Sequence, residues 1–484
     1  MDSTVPRPSL FPRAAVLGAA TLFTLAAAFP AQAATTFGPL PPHNPYSGPQ
    51  GTATMHGDTG SSDATPLPGP GTGSLTSKRV ALQSACPTIL VGSDGYPVAL
   101  CTPIFGQVPT VHLLDPASGA SLTTLTIAKG SLLGGVYAYL DNQDRLVAVD
   151  GNRTLLRIGH RRNSSGNWEL YVSSSLSLAG AVPEGDAVTG VSPDWQGRVW
   201  FATGGGVVGT ADDTTGTVRS LTLPAGERID NSISTAPDGT AISTSHATYL
   251  LNAAADGTPT ITWRQAYDRG PARKPGQLSW GTGSTPTFFG PRSGTDYVTI
   301  VDNASPTENL LVYRTDTGAQ VCSVPVLKSG SGSENSPVAV GNSVFVASTY
   351  GYPYPALPEN AGTSVPASAD FTGGFSRVDV RADGSGCDLK WDTNIRSSAV
   401  PRLSTADGLL HTIVRSPLIP GTNSTSILDN FAYAEIDPET GKTVRTKYVG
   451  TGSLFDSLQM VGSIAPGGVV YQGTITGVVR INNG

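Results

Sequence analysis

The chain has 484 residues, 30 Lys and Arg against 36 Asp and Glu, a formal charge of −6, and 58 Gly with 38 Pro. Only 14% of the residues are charged, without long runs of one sign, so the sequence carries no electrostatic footprint for nucleic acid or an anionic membrane surface. A chain of this length normally divides into two or three domains, with closed repeat architectures as the main exception.

Arg7 and Arg13 precede an apolar run from Ala14 to Phe29, and Ala31-Gln32-Ala33 follows it. A positive region, a short apolar stretch and a small-x-small triplet are the parts of an export signal, and the run falls short of the roughly twenty residues a spanning helix needs. Residues 1–33 are therefore expected to be a cleaved signal peptide, with a membrane anchor as the rival reading. The mature chain is then secreted and extracellular, without membrane insertion.

Residues 34–77 hold few large apolar side chains and many Pro, Gly, Ser and Thr. Such a segment cannot offset its own ordering entropy, so it reads as a linker or loosely draped arm in which His43 and His56 are solvated.

From 78 to 484 short alternating apolar strands recur, joined by Gly or Asp turns, with almost no helical periodicity. Hairpin turns fall near Gly95, Asp144, Gly197, Gly239, Gly294, Asn342, Gly408 and Gly468, at a period of about fifty residues. A second hairpin follows in seven units, with turns in "LLDPASG", "VAVDGN", "GTADDTTG", "AAADG", "YRTDTG", "VRADG" and "EIDPETG". Two hairpins per unit make a four-stranded antiparallel blade, and the period is that of a β-propeller. The eighth unit stops at "VVRINNG" without an outer strand, which would leave an unpaired edge where the ring must close. The segment "SKRVALQSA", 77–85, is placed to supply it. The expected fold is all-β: eight blades of four antiparallel strands closed by an N-terminal strand, or seven blades if the unit around Asp144 is incomplete.

Four cysteines in an exported chain favour disulfides. Cys86 and Cys101 flank the turn "SDGY" and suit a bridge within one hairpin, while Cys322 and Cys387 suit a bridge between neighbouring repeats. There is no C-x-x-C and no cysteine beside a histidine cluster, which argues against zinc.

The segment "AEIDPETGKTVR", 434–445, is similar to the A-x-D-x-x-T-G-K-x-x-W repeat of the PQQ-like, quinoprotein-type propellers. "YRTDTGAQVC" matches more loosely, and Trp263 and Trp391 stand in the strand after the turn in two other blades. The resemblance implies the eight-bladed fold. It does not extend to quinone chemistry: adjacent cysteines are lacking, and Arg445 stands where the docking tryptophan of that repeat would be. PQQ is not expected, and a shared fold alone does not carry function.

In a propeller the first strand of each blade lines a central channel. About eight residues before the hairpin turns lie Asp186, Asp230, Asn231, Ser284, Thr285, Glu334, Asn335 and Asp456, which places these polar groups at the channel mouth. Converging carboxylates have three uses: binding Ca²⁺ through six to eight oxygens, general acid and base catalysis on a glycosidic or uronate bond, or holding channel water. Trp280, Asp302 with Asn303, and Tyr350 with Tyr352 and Tyr354 add the aromatic and amide groups that suit a sugar ring. The expected function is binding of a glycan or small polar ligand at the channel mouth by a monomer. Asp186, Asn231, Trp280, Thr285, Asp302, Asn335, Tyr350 and Asp456 are the candidate ligand contacts. The alternative is a carbohydrate-active hydrolase or lyase with Glu334 and Asp230 as the catalytic pair, and a protein-interaction scaffold is the second. The Gly-x-Ser-x-Gly in "SGSGSENS" lacks the strand-to-helix setting of a serine nucleophile.

Overall fold

Period-two alternation of apolar residues between Gly and Asp turns folds into short antiparallel strands. The computed structural model describes residues 1, 2, 4, 37–130, 137–422 and 424–484. Nearly all of the expected signal peptide lies outside the described residues. By contacts the chain divides into 1–34 and 35–484, and the second unit is described here.

Eight four-stranded antiparallel blades span 84–126, 139–177, 188–222, 234–266, 287–325, 338–393, 402–451, and 463–483 joined by 75–81. They are numbered 1 to 8 in that order. First strands contact first strands from blade 3 through blade 6, between blades 1 and 2, and between blades 8 and 1. Fourth strands such as Ser121–Thr126 alternate between exposed and half-buried, whereas second strands such as Val199–Thr203 are buried throughout. Each first strand is therefore innermost. Eight apolar clusters each draw on two neighbouring blades, for example Trp200, Ala202 and Val208 of blade 3 with Ile242, Tyr249 and Leu251 of blade 4. The core is thus a ring of interfaces, stabilised by roughly 25 cal/mol for each Å² of apolar surface removed from water.

Leu75–Ala81 closes the ring as the fourth strand of blade 8, running antiparallel to Gly477–Asn483 from Leu75↔Asn483 to Ala81↔Gly477. The unit around Asp144 is a complete blade of Tyr139–Leu140, Leu146–Val149, Thr154–Arg162 and Trp168–Ser177, which removes the seven-bladed alternative. One turn is reassigned. "VAVDGN" joins the second and third strands of blade 2, and its outer hairpin turns at 163–167 instead. A tight Asp-Gly turn has the same local chemistry at either connection.

Both disulfides form as expected: Cys86–Cys101 within the first hairpin of blade 1, and Cys322–Cys387 between the outer strands of blades 5 and 6. The two repeat tryptophans dock on the next blade. Trp263 Nε1 donates to the Thr315 carbonyl at 2.8 Å over Gly318, and Trp391 Nε1 to the Pro438 carbonyl at 2.9 Å over Gly441. A Cβ at Gly318 would lie 2.7 Å from the indole, so only glycine permits that approach. Arg445, at the equivalent place in blade 7, pairs with Glu435 and donates to the carbonyls of Gly73 and Gly71. What reaches blade 7 there is an incoming strand's carbonyls, which a guanidinium suits better than an indole.

The expected linker is corrected. Most of 41–65 is buried inside the channel as a plug. The carbonyls of Thr59, Gly60, Ser62 and Asp63 accept in turn from the backbone N–H of Thr235, Phe288, Ala339 and Leu403, on the inner strands of blades 4, 5, 6 and 7, at 2.6 to 3.0 Å. Ala64–Thr65 pairs in parallel with Leu403 and Ser404. Thr52 bonds Val91 of blade 1, Ala53 and Gly48 bond Leu140 of blade 2, and Asn44 Nδ2 donates to the Pro193 carbonyl of blade 3. Few apolar residues need not mean a loose chain, because backbone pairing also orders a segment. Inner strands carry a free edge toward the axis, and a slim chain rich in Gly, Ser and Thr satisfies it without filling the space a bulkier one would.

Candidate functional site

The loops that enter the inner strands gather at one end of the channel, and the connection 348–374 between the second and third strands of blade 6 lies across them as a lid. Its base is tied down: Gly351 N–H donates to the Pro275 carbonyl at 2.9 Å, Tyr352 Oη to Asp456, Val365 N–H to the Arg273 carbonyl at 2.9 Å, and Arg273 to the Gly362 carbonyl. At its tip the Asn360 amide faces the Arg228 guanidinium. A cleft of about 680 Å³ lies between that tip, Leu357 to Asn360, and the rims of blades 1, 3 and 4.

Two of the expected site residues line this cleft together. Asp230 pairs with Arg228 Nη2 at 3.0 Å, and burial raises its pKa against that guanidinium. Asp186 accepts from the N–H groups of Ala187 and Gly205 at 2.8 and 2.9 Å. Asn231 is half-buried beside Asp230.

Glu334 stands apart from the cleft wall. It is half-buried, and its Oε2 accepts from the Leu278 N–H at 2.9 Å. Burial, reinforced by the charges of Asp230 and Glu308 and opposed by Leu278 and Arg273, pushes its pKa up to about 8. It is therefore protonated at neutral pH. Glu308 beneath it pairs with Lys274 at 3.3 Å, and burial moves its pKa upward too.

The remaining expected residues are held by neighbours. Thr285 is buried near the Tyr137 hydroxyl. Ser284 Oγ donates to the Asn335 carbonyl, and Asn335 Nδ2 donates to Gln459 Oε1 at 3.0 Å, bracing the loops of blades 6 and 8. Asp456 is bound by Arg415 at 3.0 Å and by Tyr352, with Asp429 on the other side of Arg415 at 2.7 Å. Asp302 accepts from Asn309 N–H and Nδ2 at 2.7 and 2.9 Å. The Arg269 guanidinium covers one face of the Trp280 ring, 3.8 Å from its centre, and the side chain stays partly exposed outside the cleft lining. Tyr350 packs against Gly332.

Sequence reasoning missed Arg228, Lys129, Gln107 and the lid tip, which all line the cleft. The lid had a signal: the hairpin turns near Asn342 and Gly408 stand further apart than the others.

Among the described residues no group of three or more His, Cys, Asp and Glu side chains is placed to hold a metal ion. The carboxylates expected to cage Ca²⁺ are each bound by a guanidinium, an amide or a backbone N–H. The residues do not fit PQQ either. All four cysteines are spent in separated disulfides, and the chain's own plug occupies the channel beside a cavity of only about 20 Å³.

No protein-family model matches the chain, and no curated protein matches its sequence. Among solved structures it is similar to a europium-containing methanol dehydrogenase, at 10% identity over 89% of this chain and 98% of that one, with a TM-score of 0.50. It is also similar to a streptogramin B lyase, at 9% identity over 85% and 98% with a TM-score of 0.40. A third is the β-propeller domain of Cps50 (Swd1) from Myceliophteria thermophila, at 10% identity over 84% and 97% with a TM-score of 0.37. At 10% identity the likeness to the methanol dehydrogenase shows the fold alone, and the strand order defines this chain as an eight-bladed β-propeller.

Proposed function

We propose that this protein is an exported propeller that binds a small polar ligand, such as a short glycan, in the rim cleft under the lid tip. The observation that carries the reading is the cleft itself: about 680 Å³, with Asp186, Asp230 and Arg228 on one wall and the lid tip on the other. Ligand pockets typically measure about 300 to 1,000 Å³ and orient their ligand with a few fixed polar groups. Export is supported by the signal-like N-terminus and by two disulfides, which persist in oxidising compartments. No helix among the described residues is long and apolar enough to cross a membrane.

Binding is preferred to hydrolysis because a glycosidase needs its acid and base on either side of one bond, with carboxyls about 5 to 10 Å apart. Glu334 has the protonation state of an acid, but only Asp230 of the expected pair lines the cleft.

The test is calorimetric titration against a panel of sugars and small polar metabolites, with Arg228→Ala and Asp230→Asn alongside the native chain. A ligand of the native protein should lose at least about tenfold in affinity in either variant, the scale of one charge-assisted contact. A ligand bound equally by both variants would locate binding elsewhere. No binding across the panel would move the assignment to a scaffold.

A further inference from the structure

The rim cleft does not end at blade 3. A second cavity of about 450 Å³ continues from it toward blade 2, lined by Asp150, Gly151, Asn152 and Arg153, and the two share Gly130 and the run from Glu184 to Ala187. Together they make one groove from the lid tip of blade 6 to the rim of blade 2. A single monosaccharide would leave most of that length empty. Glycines at Gly130, Gly151, Gly185 and Gly205 bring main chain to the groove surface, where a polymer backbone can lie close.

The groove's own groups narrow the chemistry. Its cations are engaged: Lys129 Nζ donates to Gln107 Oε1 at 3.2 Å, Arg153 Nη1 to the Val182 carbonyl at 3.0 Å, and Arg228 to Asp230. Its carboxylates outnumber them, with Asp150, Glu184, Asp186, Asp230 and Glu359 all on the lining. Glu184 and Glu359 are exposed and have no partner among the described residues. Among the described residues no aromatic side chain lines either cavity. Stacking, the usual means of holding a neutral sugar, is absent from this lining. A uronate chain would meet like charge.

Resting on the binding assignment above, we infer that the groove takes a linear oligomer of amine-bearing sugar units, with ammonium groups against Glu184 and Glu359 and hydroxyls on Asp186, Asp230 and Arg228. Length supplies affinity through the second cavity, and charge supplies selection.

The experiment is calorimetric titration of the full chain with glucosamine and with its hexamer, the N-acetylated hexamer, a galacturonate hexamer and hexalysine. The native chain, Glu184→Gln/Glu359→Gln, Asn152→Trp and Asp230→Asn are compared. Asn152 is exposed on its turn, so tryptophan there blocks the second cavity without disturbing the core. The free-amine hexamer should bind at least about tenfold tighter than the monomer and than either other sugar hexamer, a difference readily resolved in the dissociation constant. Asn152→Trp should bring the hexamer down to the monomer's affinity, and the double glutamine variant should erase the preference for the free amine.

Equal binding of monomer and hexamer, or an unaffected Asn152→Trp, overturns the extended groove. Tighter binding of the N-acetylated or galacturonate hexamer overturns the amine, and if Asp230→Asn still abolishes it the cleft assignment survives. Hexalysine binding as tightly as the amino sugar overturns the saccharide. No binding by any probe overturns the inference, and the cleft assignment then depends on the wider panel.

Discussion

Asp63 of the plug and Arg402 of the inner strand of blade 7 face each other inside the channel, a carboxylate oxygen 3.5 Å from a guanidinium nitrogen, and both side chains are almost sealed from solvent. The other Asp63 oxygen contacts His56 Nδ1 at 2.9 Å, while Arg402 also donates to the carbonyls of Met55 and Gly462. One buried cation thus ties plug, blade 7 and the entry to blade 8. Arg402→Met should cost about 3 to 5 kcal/mol, because it removes the buried cation that faces Asp63 and leaves that side chain with only its His56 contact. Adding Asp63→Asn should recover part of that loss. Urea unfolding of the two variants measures both terms, and a loss under about 1 kcal/mol for Arg402→Met would mean that the pair does not hold the plug.

Acid should stabilise this protein. Glu334 is raised to about 8 and Asp58 to about 6, each chiefly by burial. A carboxyl whose folded pKa exceeds its unfolded value binds more protons when folded. Its contribution is present in full below the unfolded value, near 4, and is lost as pH rises through the folded one. The melting temperature should therefore fall as pH rises from about 4, the Asp58 part levelling off above about pH 6 and the Glu334 part above about pH 8. Glu334→Gln, neutral at every pH, should make that fall shallower up to about pH 8, leaving the part of Glu308, which burial also raises to about 8, and the Asp58 part below about pH 6. A parallel pair of curves would show that Glu334 titrates as an ordinary carboxyl.

The turns and strands were legible because Gly95, Gly197 or Gly408 marks a turn through its own backbone freedom, and alternation marks a buried strand through its own side chains. The closing strand was legible from a deficit, since blade 8 lacked an outer strand. The plug was not. Its contacts are backbone to backbone with six blades and through the Asn44 amide with blade 3, and nothing in the residue types of 41–65 announces them. The candidate site was half legible for a related reason. Spacing put Asp186, Asp230, Asn335 and Asp456 near one rim, but whether a polar group is spent depends on a partner distant in sequence. Gln459 takes Asn335 and Arg415 takes Asp456, while Asp186 and Asp230 are left facing the cleft.

The two disulfides should differ in worth. Cys322–Cys387 closes a separation of 65 residues and Cys86–Cys101 one of 15, and in the loop-entropy account the longer closure restrains the unfolded chain more, at about 4 against about 3 kcal/mol. The longer bridge also joins two blades. Replacing Cys322 and Cys387 by alanine should lower stability by more than replacing Cys86 and Cys101, measured by urea unfolding under oxidising conditions. The reverse order would indicate that blade 1 depends on its bridge for packing rather than for restraint.

Leu75–Ala81 holds the ring shut without a covalent bond to the blade it completes, other than through the chain that leaves it for blade 1. A protease site inserted between Leu82 and Gln83 would cut that connection. Gln83 is exposed there, next to a half-buried Leu82. The nicked protein should remain one particle in size-exclusion chromatography, because seven register pairs with Gly477–Asn483 and the buried plug both hold the N-terminal fragment. Its melting temperature should become dependent on protein concentration, as unfolding now releases two chains. Adding free fragment should restore it. If the fragment instead departs under native conditions and the remainder melts unchanged, the strand is dispensable. If the remainder associates into larger species, the uncovered edge of Gly477–Asn483 is acting as the template that the strand normally occupies.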